Sequence, residues 1–258
     1  MAMTKKDETS IVPQNGTAGA LAPRAEPDEM DVFGQARPDE LILPIRKLVQ
    51  GVSRAADSKR AGEFWDSLTD AYKPQLRVAI LALSRSRSLF AEGSFDQAPV
   101  CASEDAIRPR QPIVTPDGEA TGPTCNECPF SEWGTARDGK GKGQACRFSY
   151  NLLCWDLDDQ AVFILRISGT SINPWRRYMT EGKLSNAPAY ALETVISSDE
   201  QQFVAGKAYV LAFAHGDKLP PQMAASMREQ AAAYRGISLG VESVVEEAEG
   251  PVGESVFD

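Results

Sequence analysis

Histidine is almost missing from this chain: His215 is the only one in 258 residues. The commonest general base is therefore scarce, and no Ser or Cys stands in a nucleophile-elbow pattern. The Gly-rich stretch after Trp133 lacks the G-x-x-x-x-G-K-[ST] order of a phosphate-binding loop. No internal repeat is present, and no apolar run nears the ~20 residues needed to span a bilayer. The opening Met-Ala-Met-Thr-Lys-Lys-Asp-Glu has no apolar signal-peptide core. These absences lead to the expectation of a non-catalytic, cytoplasmic protein that does not act at a membrane.

The net charge of −9 argues at first against nucleic acid, but its distribution changes that view. Residues 1–40 carry four basic and eight acidic side chains, a net of −4, and residues 238–258 carry six acidic and no basic ones. The central part, 41–237, is left at +1. A balanced domain of this kind has room for a basic groove. The two acidic ends show no apolar periodicity and are too polar to offset the entropy of ordering, so both are expected to be disordered.

Between them the chain reads as a single mixed, strand-rich domain opening at Leu41–Ile45. Leu76–Leu83 is an apolar run of strand length, though periodicity alone leaves helix open there. Tyr150–Leu157 and Ala161–Ile167 flank Asp158-Asp159-Gln160 as a hairpin, which also accounts for the acidic group Asp156, Asp158 and Asp159. Thr170-Ser171 offers an N-cap for a short helix over Ile172–Thr180, with Gly182 as its stop. Ala189–Ser197 and Lys207–Ala214 are strand-like, and a helix follows Pro220-Pro221 and ends at Gly236. Short strands with a late helix suit a small barrel or an α+β sandwich. The expected form is an OB-like small barrel with short helices and a cysteine-bearing loop insertion over 91–147.

That insertion holds many Gly, Pro and Asp residues and little periodicity, so something other than a core must hold it. Cys125 and Cys128 form C-x2-C, Cys146 follows 17 residues later, and Cys101 lies upstream. Reducing cytosol disfavours disulfides, and five cysteines fit four ligands plus one bystander. Zinc is the expected ion and an iron–sulfur centre the lesser one. For the fourth ligand Cys101, in polar loop sequence, is preferred to Cys154, which sits in the apolar Leu152-Leu153-Cys154-Trp155. A redox role for C-x2-C lacks the strand-to-helix context it needs. His215 reads as structural rather than as a ligand.

Around the cysteines aromatics and cations interleave. Phe130, Trp133, Arg137, Lys140 and Lys142 lie between Cys128 and Cys146, and Arg147, Phe148 and Tyr150 follow. The short helix adds Trp175, Arg176, Arg177 and Tyr178. Aromatic faces stack on bases and cations neutralise phosphates, so this set is the expected single-stranded DNA surface. Each aromatic also has a plain reading as core: Trp175 and Tyr178 are spaced as one helix face would be.

The segments PVCASEDAIRP, TCNECPFSEWG, GKGKGQACR and FILRISGTSINPWRRY, with the earlier LVQGVS and GEFWDSLT, resemble phage-associated zinc-containing proteins linked to single-stranded DNA binding. The resemblance covers roughly residues 41–236. It implies zinc ligands at Cys101, Cys125, Cys128 and Cys146, a role in phage-type DNA replication or recombination, and residence in the host-cell cytoplasm. The acidic end, with Phe257 and Asp258, is similar to the tails of bacterial and phage single-stranded DNA-binding proteins. It implies a docking site for replication proteins that also competes with DNA. The contrasting reading is a zinc-organised interaction or regulatory module without DNA affinity.

Overall fold

The computed structural model describes residues 36–51, 56–91, 98–110, 114, 118, 120–136, 143–203 and 206–239. The chain divides into Met1–Arg37 and Pro38–Asp258, and the second unit holds all the described strands and helices. Its strands are β1 (Ile45–Leu48), β2 (Phe64–Asp66), β3 (Tyr72–Lys73), β4 (Leu76–Leu89), β5 (Cys101–Ser103), β6 (Cys146–Asp156), β7 (Val162–Ser168), β8 (Leu192–Phe203) and β9 (Gly206–Lys218). Two helices, α1 (Ile172–Leu184) and α2 (Pro221–Ala233), complete it. The strands form one sheet in the order β3-β2-β1-β7-β6-β4-β8-β9, with β5 added to β4. Every pairing is antiparallel except β1 with β7. The sheet curls into a half-barrel, the mixed, strand-rich class read from the sequence.

Alternation along the strands builds two apolar layers. The inner one gathers Leu76, Val78, Ile80, Leu152, Cys154, Phe163, Leu165, Ile167 and Ile196, with Trp175 and Tyr178 of α1 packed into it. The outer one gathers Ala79, Leu81, Leu153 and Ile164 under Met227 of α2 and under Tyr234 and Leu239 beyond it. Leu239 is therefore part of the packed domain, one residue past the expected start of the acidic tail at 238. Helix α1 passes the expected stop at Gly182 and runs to Leu184. An interior glycine costs only about 1 kcal/mol, which the burial of Trp175 and Tyr178 outweighs.

One irregularity decides where the far half of β4 aims its side chains. Ile80 pairs with Cys154, but Ala82, not Leu81, pairs with Leu153. Leu81 is the extra residue of a bulge, and it packs outward beside Ala79. Past it the parity is reversed, so Leu83, Arg85, Arg87 and Leu89 stand opposite Leu152, Tyr150, Phe148 and Cys146 on the inner face.

The β3-β2-β1 wing is fixed to the rest by buried charge. Arg46 of β1 donates from Nε to Asp66 of β2 (2.9 Å), from Nη1 to Asp156 at the end of β6, and from Nη2 to Asp159 (2.9 Å). Lys73 of β3 also donates to Asp156 (2.8 Å). The second oxygen of Asp156 accepts from the backbone amides of Asp158 and Asp159, closing the β6–β7 turn. The Arg46 guanidinium lies 4.2 Å over the Phe163 ring. The acidic group is thus a hairpin turn, as expected, and also an anchor for two distant strands.

The connection from β1 to β2 reaches β9 at Tyr209. The Gln50 side chain donates to the Tyr209 carbonyl and accepts from its amide, both at 2.9 Å, as a neighbouring strand would. Close by, Gly62 (φ +93°) leaves its Cβ position empty where a side chain would come within 2.7 Å of the Tyr209 ring.

Burial opposes the Asp156 charge, but hydrogen bonds from Lys73, Arg46 and the turn amides outweigh it and hold its pKa down at about 2. A carboxylate with a depressed folded-state pKa contributes stability that is complete above its ordinary value of 3.8 and lost as pH falls toward 2. Asp156→Ala should cost about 2–3 kcal/mol in urea unfolding at neutral pH, because it takes one of three carboxylates from the buried Arg46 and opens the β6–β7 turn. Asp156→Asn should remove this contribution to the pH dependence between about pH 4 and pH 2.

Candidate nucleic-acid interface and cysteine centre

Strand β6 organises the region. Cys146, Phe148, Tyr150, Leu152 and Cys154 occupy alternate positions and so share the inner face. Tyr150, Leu152 and Cys154 belong to the core, Phe148 and Tyr150 pair with Arg87 and Arg85, and Cys146 faces Leu89. Core, arginine–aromatic row and cysteine cluster thus follow one another along a single strand face.

At its far end four cysteines line one cavity of about 10 Å³, together with Leu89, Pro109, Thr121, Gly122 and Thr124. They are Cys101 of β5, Cys125 and Cys128 from the loop, and Cys146 of β6, all buried. The cavity has room for about one atom-sized sphere. Cys125 is pinned by its amide donating to the Ile107 carbonyl (2.8 Å). Gly122 passes so close to the C-x2-C turn that a Cβ there would lie 2.7 Å from the Glu127 carbonyl oxygen. Burial, then the neighbouring Cys125 and Cys128, push the Cys101 thiol up to about 11. Burial raises Cys146 to about 12, with Arg87 pulling the other way and the other three thiols adding to the rise. As the side chains stand, no three described His, Cys, Asp or Glu groups are set to hold one ion.

Cys154 is elsewhere. Eight residues of strand separate it from Cys146, roughly 25 Å. It is wholly buried among Ile80, Phe163 and Leu165, and burial raises its pKa.

The expected DNA-contacting residues divide sharply. Trp133 is 78% exposed, on the loop that follows the cysteine turn. Arg176 and Arg177 are exposed on α1, and Arg147 is exposed on the opposite sheet face from Phe148. Arg176 donates to the Tyr150 hydroxyl (3.4 Å), and Arg177 to Glu181 (3.0 Å). Three aromatics are corrected to core positions. Phe130 is buried against Cys101, Cys128, Cys146 and Leu89. Trp175 is buried in the inner layer, stacked on Tyr178 at 5.7 Å. Tyr178 is also stacked on His215 at 4.2 Å, so neighbours take both of its faces, and its hydroxyl bonds Thr194 (2.6 Å). Burial of apolar area decides these three, and for Trp175 and Tyr178 the three-residue helical spacing allowed it. Arg137, Lys140, Lys142, Phe257 and Asp258 lie outside the described residues.

Two arginines were not among the expected contacts. Arg85 lies 5.8 Å over the Tyr150 ring and Arg87 5.5 Å over that of Phe148. Phe148 meets Tyr150 edge-on at 4.9 Å and is only half-buried. The signal was present in Ser84-Arg85-Ser86-Arg87-Ser88, where alternation puts both arginines on one face. Which face was hidden by the bulge at Leu81. Tyr150 itself is buried in the inner core against Trp175, so the aromatic ring left partly open is Phe148. The result is an arginine surface over Phe148, flanked by Arg176 and adjoining the cysteine cluster, suited to phosphates and to one flat ring.

Exposure separates the tryptophans in a measurable way. Trp133→Phe should remove most of the acrylamide-quenchable emission, while Trp175→Phe should leave it nearly unchanged. Comparisons with family models, curated proteins and solved structures find no match for this chain.

Proposed function

We propose that this protein is a non-catalytic single-stranded DNA-binding protein whose cysteine loop is held by zinc. The observation that carries the reading is the pair Arg85 and Arg87 on one sheet face beside the half-buried Phe148, flanked by Arg176 at the buried Tyr150. Every nucleotide offers a phosphate and a ring face, so this surface engages a strand largely without regard to sequence. The exposed Trp133 adds a further stacking face from the loop. The plan is OB-like in being a curled sheet with a helix packed into its inner layer; its nine strands exceed the five of that barrel.

Zinc fits the donor set: four buried sulfurs and an ion-sized cavity. Cys101, Cys125, Cys128 and Cys146 are the proposed ligands. A bound cation would oppose the burial that raises the Cys101 and Cys146 pKa values. Four thiolates fill the coordination shell, so the ion's role is to hold the loop. The acidic end at Phe257 and Asp258 is the proposed contact for replication proteins, in a phage-type setting within the host-cell cytoplasm. Among the described residues no helix is long and apolar enough to cross a membrane.

Purified protein should carry about one zinc per chain. Cys128→Ser should lose it and Cys154→Ala should keep it, as read by metal analysis. In oligo-dT titrations Phe148→Ala should weaken binding by about 1–3 kcal/mol with little change in salt dependence. Arg85→Ala with Arg87→Ala should lower the salt slope by about 1.4. A zinc-loaded, folded protein that binds no oligo-dT at low salt would favour the interaction-module reading instead.

A further inference from the structure

A groove of about 630 Å³ lies where the end of β1, the β7–α1 connection and the start of β9 come together. Among the described residues three of its lining side chains are cationic, Lys47, Arg166 and Lys207, and none is a carboxylate, although Glu200 meets Lys207 at 2.6 Å. Lys47 and Arg166 sit on neighbouring strands: Arg46 pairs with Leu165, and the next step of that parallel register sets Lys47 beside Arg166. Like charges placed side by side on a sheet repel. Both are held in that arrangement. Arg166 donates from Nε to Asn151 (3.2 Å), which is wholly buried and itself donates to Ser86 (2.9 Å). Lys47 lies 5.6 Å over the Trp65 ring.

The opposite wall carries an aromatic. Tyr209 rests against Gly62, its backbone is bound by Gln50, and Glu200 holds both its hydroxyl (3.1 Å) and Lys207 (2.6 Å) at the rim. The groove and the arginine–aromatic face meet at one element. Ser171, at the start of α1, lines the groove, and Arg176 of the same helix touches Tyr150. Five residues of helix separate them, about 7.5 Å.

We infer that this groove is a second segment of the single-strand path. Lys47 and Arg166 take phosphates, Tyr209 offers a ring to a base, and the strand reaches the groove from the arginine–aromatic face by passing the start of α1. The inference rests on the single-stranded DNA reading and extends its site. A strand long enough to leave the first face engages the groove, and a short one does not.

The test compares oligo-dT of about 6 and about 16 nucleotides, lengths that bracket one such module. In the full chain, Lys47→Ala with Arg166→Ala should weaken the longer oligonucleotide several-fold at low salt. It should lower that oligonucleotide's salt slope by about 1.4 and leave the shorter one unchanged. Independently, 5-iodouracil placed along the longer oligonucleotide should photocrosslink wild-type protein at Tyr209; this readout does not depend on the variant folding. Short-oligonucleotide binding with no crosslink at Tyr209 and no length-dependent loss overturns the groove and leaves the arginine–aromatic face standing. Equal loss for both lengths also overturns the extended path. Failure of wild-type protein to bind either oligonucleotide overturns both readings.

Discussion

The sheet depends on one buried cation. Arg46 binds carboxylates from β2 and from the β6–β7 turn, and Lys73 of β3 meets the same turn. Three short strands with few residues in register hold their place because their charges have nowhere else to go. Desolvation makes such a node costly to form and costlier still to half-remove, which gives specificity of arrangement more than net stability. Its position matters for the site. By fixing β1 against β7 it sets Lys47 next to Arg166, and by fixing the turn it sets the register of β6, on which the arginine–aromatic row and one wall of the cysteine cavity depend.

Strand β6 then couples stability to the proposed function. Its inner face is continuous from Cys154 in the core to Cys146 at the cavity, so displacing the cysteine loop disturbs the strand that presents Phe148 and Tyr150. Arg87 shows the coupling at atomic scale. It lies over Phe148, donates to the Cys146 carbonyl (3.4 Å), and lowers the Cys146 pKa against the pull of burial. A positive group at that point faces the thiol cluster on one side and the surface proposed for phosphates on the other.

Much of this was legible in the sequence, and the limits have physical causes. The β6–β7 hairpin, the long β8–β9 region and both helices followed from alternation and from turn and capping residues, with ends moved by a few positions. The spacing suggested which cysteines to group, but it is strand order that sets Cys101 near Cys146, since both pair with Leu89 of β4 from opposite sides. The stacking residues were harder. Trp133 and Trp175 look alike as letters, yet one is 78% exposed and the other 3%, since only Trp175 has a sheet to pack on. Arg85 and Arg87 do not stand out in the sequence because nothing local marks the extra residue at Leu81. The bulge is set by pairing with a strand some seventy residues away. The Lys47–Arg166 groove is equally hidden, since it arises from a parallel pairing between distant segments.

The Gln50 contact has a consequence of another kind. A strand at the rim of a sheet offers a row of amide donors and carbonyl acceptors, which invites pairing with another molecule. At Tyr209 both groups are already satisfied by one side-chain amide, and at Leu211 the amide is satisfied by the Ser171 hydroxyl. These two short substitutes for a partner strand interrupt the row at alternate residues. At these two positions the rim has no free row of donors and acceptors to template edge-to-edge pairing.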